Sequence, residues 1–142
     1  MRIREVMRTN VRTIKPTEPV SMAKELFRRY DIHHLVVVDK GVAGVVNDHD
    51  FADARDDDPV ERIMSRHVVT IGPEETIRKA AAIMTGQGIG SLPVVDDEKL
   101  VGIVTTRDLL LLIAKGAVHP APNAERPVLA KRAPRRKPLM AR

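Results

Sequence analysis

The chain has 142 residues, 43% of them hydrophobic, and a formal net charge of +5, which suits one folded unit with a core of its own. It has no cysteine, which excludes disulfides, thiolate metal sites and cysteine nucleophiles; two Phe, one Tyr and no Trp leave little for stacking nucleic-acid bases. No apolar run nears the roughly 20 residues that span a bilayer, and Met1-Arg2-Ile3-Arg4-Glu5 lacks the apolar stretch of a secretion signal, so a cytoplasmic location without a membrane span is expected.

The basic balance is unevenly placed. From Lys115 onward eight Lys or Arg face a single acid, Glu125, for +7, whereas residues 1–114 carry 16 basic and 18 acidic groups, for −2. The folded part is near neutral, and the basicity belongs to a tail.

In chain order, the segment from Ile3 recurs from Val60 with an offset of 57. Met7, Val11, Thr13, Ile14 and Pro16 return as Met64, Val68, Thr70, Ile71 and Pro73; Leu35, Val37, Val38 and Asp39 return as Leu92, Val94, Val95 and Asp96. One residue inserted in a turn makes the offset 58, and Gly44, Val46 and Asp50 return as Gly102, Val104 and Asp108. Each copy shows the same switches of hydrophobic period. An extended entry comes first. Thr17-Glu18-Pro19 then supplies an N-cap and a first-turn proline for a helix through Val20, Ala23, Leu26, Phe27 and Tyr30. Its twin runs through Ile77, Ala80, Ala81 and Met84 and stops at Gly86-Gln87-Gly88. Two β-branched runs joined by a tight turn follow: Leu35 to Val38 and Val42 to Val46, then Leu92 to Val95 and Leu100 to Val104. A last helix is predicted in both copies, short after Asp50 and longer through Leu109 to Ala114.

The predicted fold is therefore mixed α/β (α+β): two β-α-β-β-α repeats over residues 1–56 and 57–115, packed with pseudo-twofold symmetry because neither copy buries enough surface alone. The acidic stretch Asp53 to Asp58 reads as the linker. Residues 116–142, with five prolines among Ala, Lys and Arg, read as a disordered basic tail.

The chemistry concentrates in Gly102-Ile103-Val104-Thr105-Thr106-Arg107-Asp108, where the last strand meets the last helix. Gly102 permits close backbone approach. Thr105 ends the strand and Asp108 lies one helical turn on, so hydroxyl and carboxylate address the same small volume. A carboxylate accepting from two vicinal hydroxyls suits a ribose; a Thr hydroxyl and Arg107 beside a helix N-terminus suit a phosphate. Thr-x-x-Asp at a helix start is equally a capping box, and the two roles are compatible. A metal reading of His33, His34, His49 and Asp50 lacks ligand spacing, so no metal site is assigned. No catalytic set emerges: there is no Gly-x-Ser-x-Gly, no phosphate loop and no His-Glu-x-x-His, which favours binding over turnover.

On these residues, the stretch from about Ile3 to Ala114 resembles a tandem cystathionine-β-synthase (CBS) domain pair, or Bateman module. The resemblance implies that a Gly-h-h-Thr/Ser-x-x-Asp pattern carries ribose and phosphate contacts, here Gly102, Thr105 and Asp108. The first copy keeps Gly44 and Asp50 but has Asn47 for the Thr and Val36 for a proline, with His49 beside Asp50. His33 and His34 fall where some adenylate-sensing relatives hold a basic pair across the cleft, while the second copy has Gly90 and Ser91 there. The resemblance further implies a regulatory ligand, such as AMP, ADP, ATP, S-adenosylmethionine or NAD, rather than a required cofactor, together with a homodimer and an unidentified protein target. Two alternatives stand beside it: a structural or dimerisation module whose site has decayed, and a nucleic-acid-associated protein acting through its tail.

Overall fold

The computed structural model describes residues 1–116; the basic tail read from the sequence otherwise lies outside them. The two copies fold as matched halves. In the first, β1 (Thr13–Ile14) runs parallel to β2 (His34–Val38), which pairs antiparallel with β3 (Val42–Asn47). In the second, β4 (Ser91–Asp96) and β5 (Lys99–Thr105) form the antiparallel hairpin. Both hairpins carry a register shift at the same place, between Val37 and Val38 and between Val94 and Val95.

The entry to the second copy is reduced to a single parallel bridge, Ile71 to Val94, and the cause is one residue. Val36 donates its N–H to the Arg12 carbonyl at 3.5 Å; its counterpart is Pro93, which has no N–H to give, so a ladder rung is lost.

Helix α1 (Val20–Tyr30) and helix α2 (Ile77–Gln87) follow the predicted apolar stripes, and each ends on a left-handed residue, Asp31 with φ 51° and Gly88 with φ 66°. The two start differently. Thr76 caps α2 through its side chain, accepting from the Lys79 N–H at 3.1 Å. In α1 the N-cap position is Pro19, and no side-chain cap forms, so Thr17, two residues upstream, does not do the job expected of it. Both helices donate their first N–H to the segment that docks beside them, Val20 to the Asp58 carbonyl (2.8 Å) and Ile77 to that of Met1 (3.2 Å), and α1 adds the Ser21 N–H to the Asp56 carbonyl of the linker (3.0 Å), satisfying donors that open every helix.

The last helix is present only in the second copy, as α3 (Thr106–Ala114). After Asp50 the first copy makes turns, not a helix. Asp56-Asp57-Asp58-Pro59 closes this stretch with acids unfavourable at a helix C-terminus and a proline that stops it.

Alternation along the strands divides the core into layers. Leu35 and Val37 pack with Ala23 and Ile14 on one side of the first sheet; Leu92 and Val94 pack with Ala80 and Met84 on one side of the second. Val36 and Pro93, between them in sequence, are also fully buried and by alternation point to the opposite faces of their sheets.

The halves also trade segments. A one-turn 3-10 helix, Ile3–Glu5, docks on the second copy: Ile3 is fully buried among Ile71, Ala80 and Leu92, and its N–H donates to the Glu75 carbonyl at 2.8 Å. Its twin, Val60–Arg62, docks on the first: Val60 is fully buried among Ala23, Leu35 and Val46, and its N–H donates to the Glu18 carbonyl at 2.8 Å. Just downstream, Arg8 exchanges backbone hydrogen bonds with Ile103, as Ser65 does with Val45. No helix among the described residues is long and apolar enough to cross a membrane.

The β4–β5 turn holds both Asp97 (φ 52°) and Glu98 (φ 66°) in the left-handed region, the geometry of a tight hairpin turn that prefers Asp-Gly. A left-handed residue with a side chain costs about 1–2 kcal/mol, part of which glycine gives back as unfolded-chain entropy. Glu98→Gly is therefore expected to raise stability by about 0.5–1 kcal/mol in urea denaturation; a lower midpoint would contradict this account of the turn.

Candidate functional site

The exchanged segments build the walls of two related clefts. Arg8 runs beside β5 at Ile103, and the chain after α1 returns through Asp31, Ile32, His33 and His34 toward the junction of β5 and α3. Between them lies a cleft of about 360 Å³ lined by Arg8, Asp31, His33, His34, Thr105 and Arg107, with Gly90, Thr106 and the apolar Ile32 and Ile103. A neighbouring hollow of about 560 Å³ shares Arg8, Ile32, His34 and Ile103 and extends along Met7, Asn10, Arg12 and Tyr30. The Arg12 guanidinium stacks 3.7 Å from the Tyr30 ring centroid. The twin cleft is about 150 Å³, with Asn47, Ser65, His67, Ser91 and Pro93 in its wall.

At the head of α3 the capping box forms. The Asp108 carboxylate accepts from the Thr105 N–H at 2.9 Å, and the Thr105 hydroxyl accepts from the Asp108 N–H at 3.2 Å. Asp108 is 8% exposed, and its second oxygen, Oδ1, accepts from Arg8 Nε at 2.9 Å. The carboxylate thus sits behind Thr105 with its charge matched by an arginine from the other end of the chain. In the first copy Asp50 accepts from the Asn47 N–H at 2.8 Å, but Asn47 Oδ1 turns to the His49 N–H at 2.8 Å, an Asx turn in place of a cap. Ser65 stands where the second copy has Arg8.

The ten residues singled out in the sequence therefore separate. Thr105, Arg107, His33 and His34 line one cleft, with Asp108 directly behind Thr105. His34 and Asn47 line the smaller cleft. His49 is 92% exposed and 3.6 Å from Asp48, and it lines neither cleft. Gly44 and Gly102 serve the chain itself: a Cβ on Gly102 would come within 2.7 Å of Met7 Sδ and 3.0 Å of the Arg8 carbonyl, and one on Gly44 within 2.6 Å of Met64 Sδ and 2.9 Å of the Ser65 carbonyl. Their missing side chains admit the exchanged segments. Arg8, Arg12 and Asp31 were not singled out from the sequence; Arg8 and Asp108 are 100 positions apart, and only the exchange brings them together.

The two histidines of the pair behave differently. His33 shares a hydrogen bond of 2.9 Å with Asp48, which holds that carboxyl below the usual range. His34 lies deeper, in the wall of all three hollows. Burial pushes its pKa below the ordinary value, the Asp48 charge pulls against this, and His33 adds to the lowering. A histidine depressed in the folded chain takes up its proton more readily when unfolded, so stability rises with pH across that window. Stability of the ligand-free chain is expected to fall as pH drops from about 7 to about 5, below the unfolded histidine value of about 6.5, and His34→Gln is expected to shallow that slope. An identical pH profile for the variant in denaturant titrations would contradict the burial of His34.

Comparison with known proteins places these observations. The family model described as "CBS domain" matches residues 3–57 and again 60–115. The CBS domain-containing protein YhcV of Bacillus subtilis (strain 168) is 32% identical over 114 residues, 75% of this chain and 81% of that protein. A homoserine O-acetyltransferase of Methanohalobium evestigatum is 34% identical over 116 residues, 78% of this chain but only 24% of the enzyme, so the likeness spans about a quarter of that relative. Among solved structures, the CBS domain pair of protein MJ0100 in complex with 5′-methylthioadenosine and S-adenosyl-L-methionine superposes with a TM-score of 0.76 at 27% identity, covering 82% of this chain and 98% of that one.

Proposed function

This chain belongs to the CBS domain family as a tandem pair of repeats, and from that membership we propose that it is a regulatory module that binds an adenine nucleotide or a related adenosyl ligand between the repeats. One observation carries the reading: Thr105, Asp108 and Arg107 stand together at the head of α3, beside a cleft whose far wall comes from the other repeat. A carboxylate just behind the cleft wall can accept from ribose hydroxyls, and a threonine hydroxyl and an arginine at a helix N-terminus donate to phosphate. Ile32 and Ile103 offer an apolar wall for a base. The pairing of MJ0100 with methylthioadenosine and S-adenosylmethionine supports the adenosyl class.

The ligand bridges residues 31–34 of one repeat and 103–108 of the other. It therefore favours whichever arrangement of the halves fits it best, and that differential affinity is what a regulatory module transmits. No bond is made or broken in this role, and the chain acts as a binding protein, not an enzyme, in the cytoplasm. Leu110 (60% exposed) and its neighbour Leu111 leave an apolar strip on α3, which suits a homodimer or a protein target.

The two copies are unequal. Calorimetry with AMP, ADP, ATP, S-adenosylmethionine and NAD is expected to find at least one ligand whose binding Asp108→Ala weakens more than Asp50→Ala does, because only the second copy combines the Thr105 hydroxyl, Asp108 and Arg8. Losing hydrogen bonds from a charged group is worth about 1.5–3 kcal/mol, so roughly tenfold or more in affinity. Equal losses in the two variants, both shown to be folded, would contradict the ranking.

A further inference from the structure

We infer that the larger cleft selects a phosphorylated nucleoside over a neutral or sulfonium one, and that Arg8 enforces this by changing partners, from Asp108 in the free chain to the ligand's phosphate in the complex. The inference rests on the proposed binding of an adenosyl ligand at this site and specifies its chemical class.

Charge is divided between the twin clefts. Arg8, Arg12 and Arg107 border the larger cleft and its extension, against the single lining acid Asp31. The smaller cleft, which His34 also lines, has no Lys or Arg among its lining residues; at the positions matching Arg8 and Arg12 it has Ser65 and Val69. A sulfonium or an uncharged thioether gains nothing from that surplus of cations, whereas a phosphate does.

Arg8 is the hinge of the selection. Its side chain is 55% exposed while its partner Asp108 is 8% exposed, so the ion pair lies at the cleft surface with the arginine outermost. A ribose diol approaching Asp108 Oδ1 competes with Arg8 Nε for the same oxygen. A neutral nucleoside must displace the guanidinium and leave it with water alone. A nucleoside phosphate offers it a new anion, while the diol keeps the nearly buried carboxylate supplied with donors. The Arg8 backbone is held independently, by its two hydrogen bonds to Ile103, so the side chain can change partners without the strand moving. Ser65 forms the same backbone pair with Val45 and supplies no charge, so the smaller cleft lacks the device.

The test compares ADP with adenosine on the full chain and on Arg8→Met, which keeps the aliphatic stem and removes the charge and the donors. By calorimetry, Arg8→Met is expected to weaken ADP about tenfold or more while adenosine binds as well as before or better, its competitor for Asp108 being gone. Arg8→Lys is expected to restore most of the preference for ADP, and raising the salt from about 0.05 to 0.5 M should weaken ADP on the wild-type chain far more than on Arg8→Met. Equal losses for ADP and adenosine would reduce Arg8 to a brace for Asp108 and overturn the exchange of partners. Unchanged affinity for both would overturn it as well. Failure of the wild-type chain to bind either ligand would overturn this inference together with the adenosyl reading beneath it.

Discussion

Everything in this module depends on a backbone crossing: each repeat is completed by a segment that the sequence assigns to the other. Ile3 fills the core of the second copy and Val60 that of the first, and burying such side chains contributes about 1.5–3 kcal/mol each. Gly102 and Gly44 make the crossing possible, because a Cβ at either position would collide with Met7 or Met64 and with backbone carbonyls. The halves are thereby interlocked at both ends. The crossing also fixes Arg8 beside Ile103, so the interaction that holds the fold together also brings a guanidinium to Asp108.

Duplication supplied two equivalent frames, and substitution made them unequal. The hydrogen bonds of the frame match in detail: Ile3 to Glu75 and Val60 to Glu18, Arg4 to Pro73 and Glu61 to Pro16, Ile77 to Met1 and Val20 to Asp58. The differences lie in the cleft walls. Thr105 opposes Asn47, Arg8 opposes Ser65, and His34 opposes Ser91, which leaves one cleft cationic and roomy and the other neutral and small. The same divergence removed a helix from the first copy, where an Asx turn at Asn47 and the acidic linker replace the capped α3. These substitutions make the two clefts unequal without disturbing the shared scaffold.

Much of this was legible beforehand, for physical reasons. The 57-residue repeat, the two helical stripes and both hairpins follow from hydrophobic period, and Thr105 and Asp108 were close enough in sequence for their shared cap to be read directly. Three features escaped. The cap of α1 comes from carbonyls of the linker, which no local pattern encodes. The helix expected after Asp50 was read from symmetry, and symmetry failed where composition changed. Arg8 lies 100 positions from the carboxylate it pairs with, and only knowledge of the crossing would have drawn attention to it. His33 and His34, adjacent in sequence, read as one pair, yet one is exposed and tied to Asp48 while the other, the first residue of β2, is half-buried in the cleft wall.

The most direct test of the central claim, that the duplicated frame carries one cationic nucleotide cleft built by the crossing, is an experimental structure of the chain with ADP bound. The expected result is nucleotide between Thr105, Arg107 and His34, with ribose hydroxyls on Asp108 and the Arg8 guanidinium moved onto phosphate. Nucleotide held at the Asn47 and Ser65 cleft, or bound at Thr105 with the Arg8–Asp108 pair still closed, would contradict it.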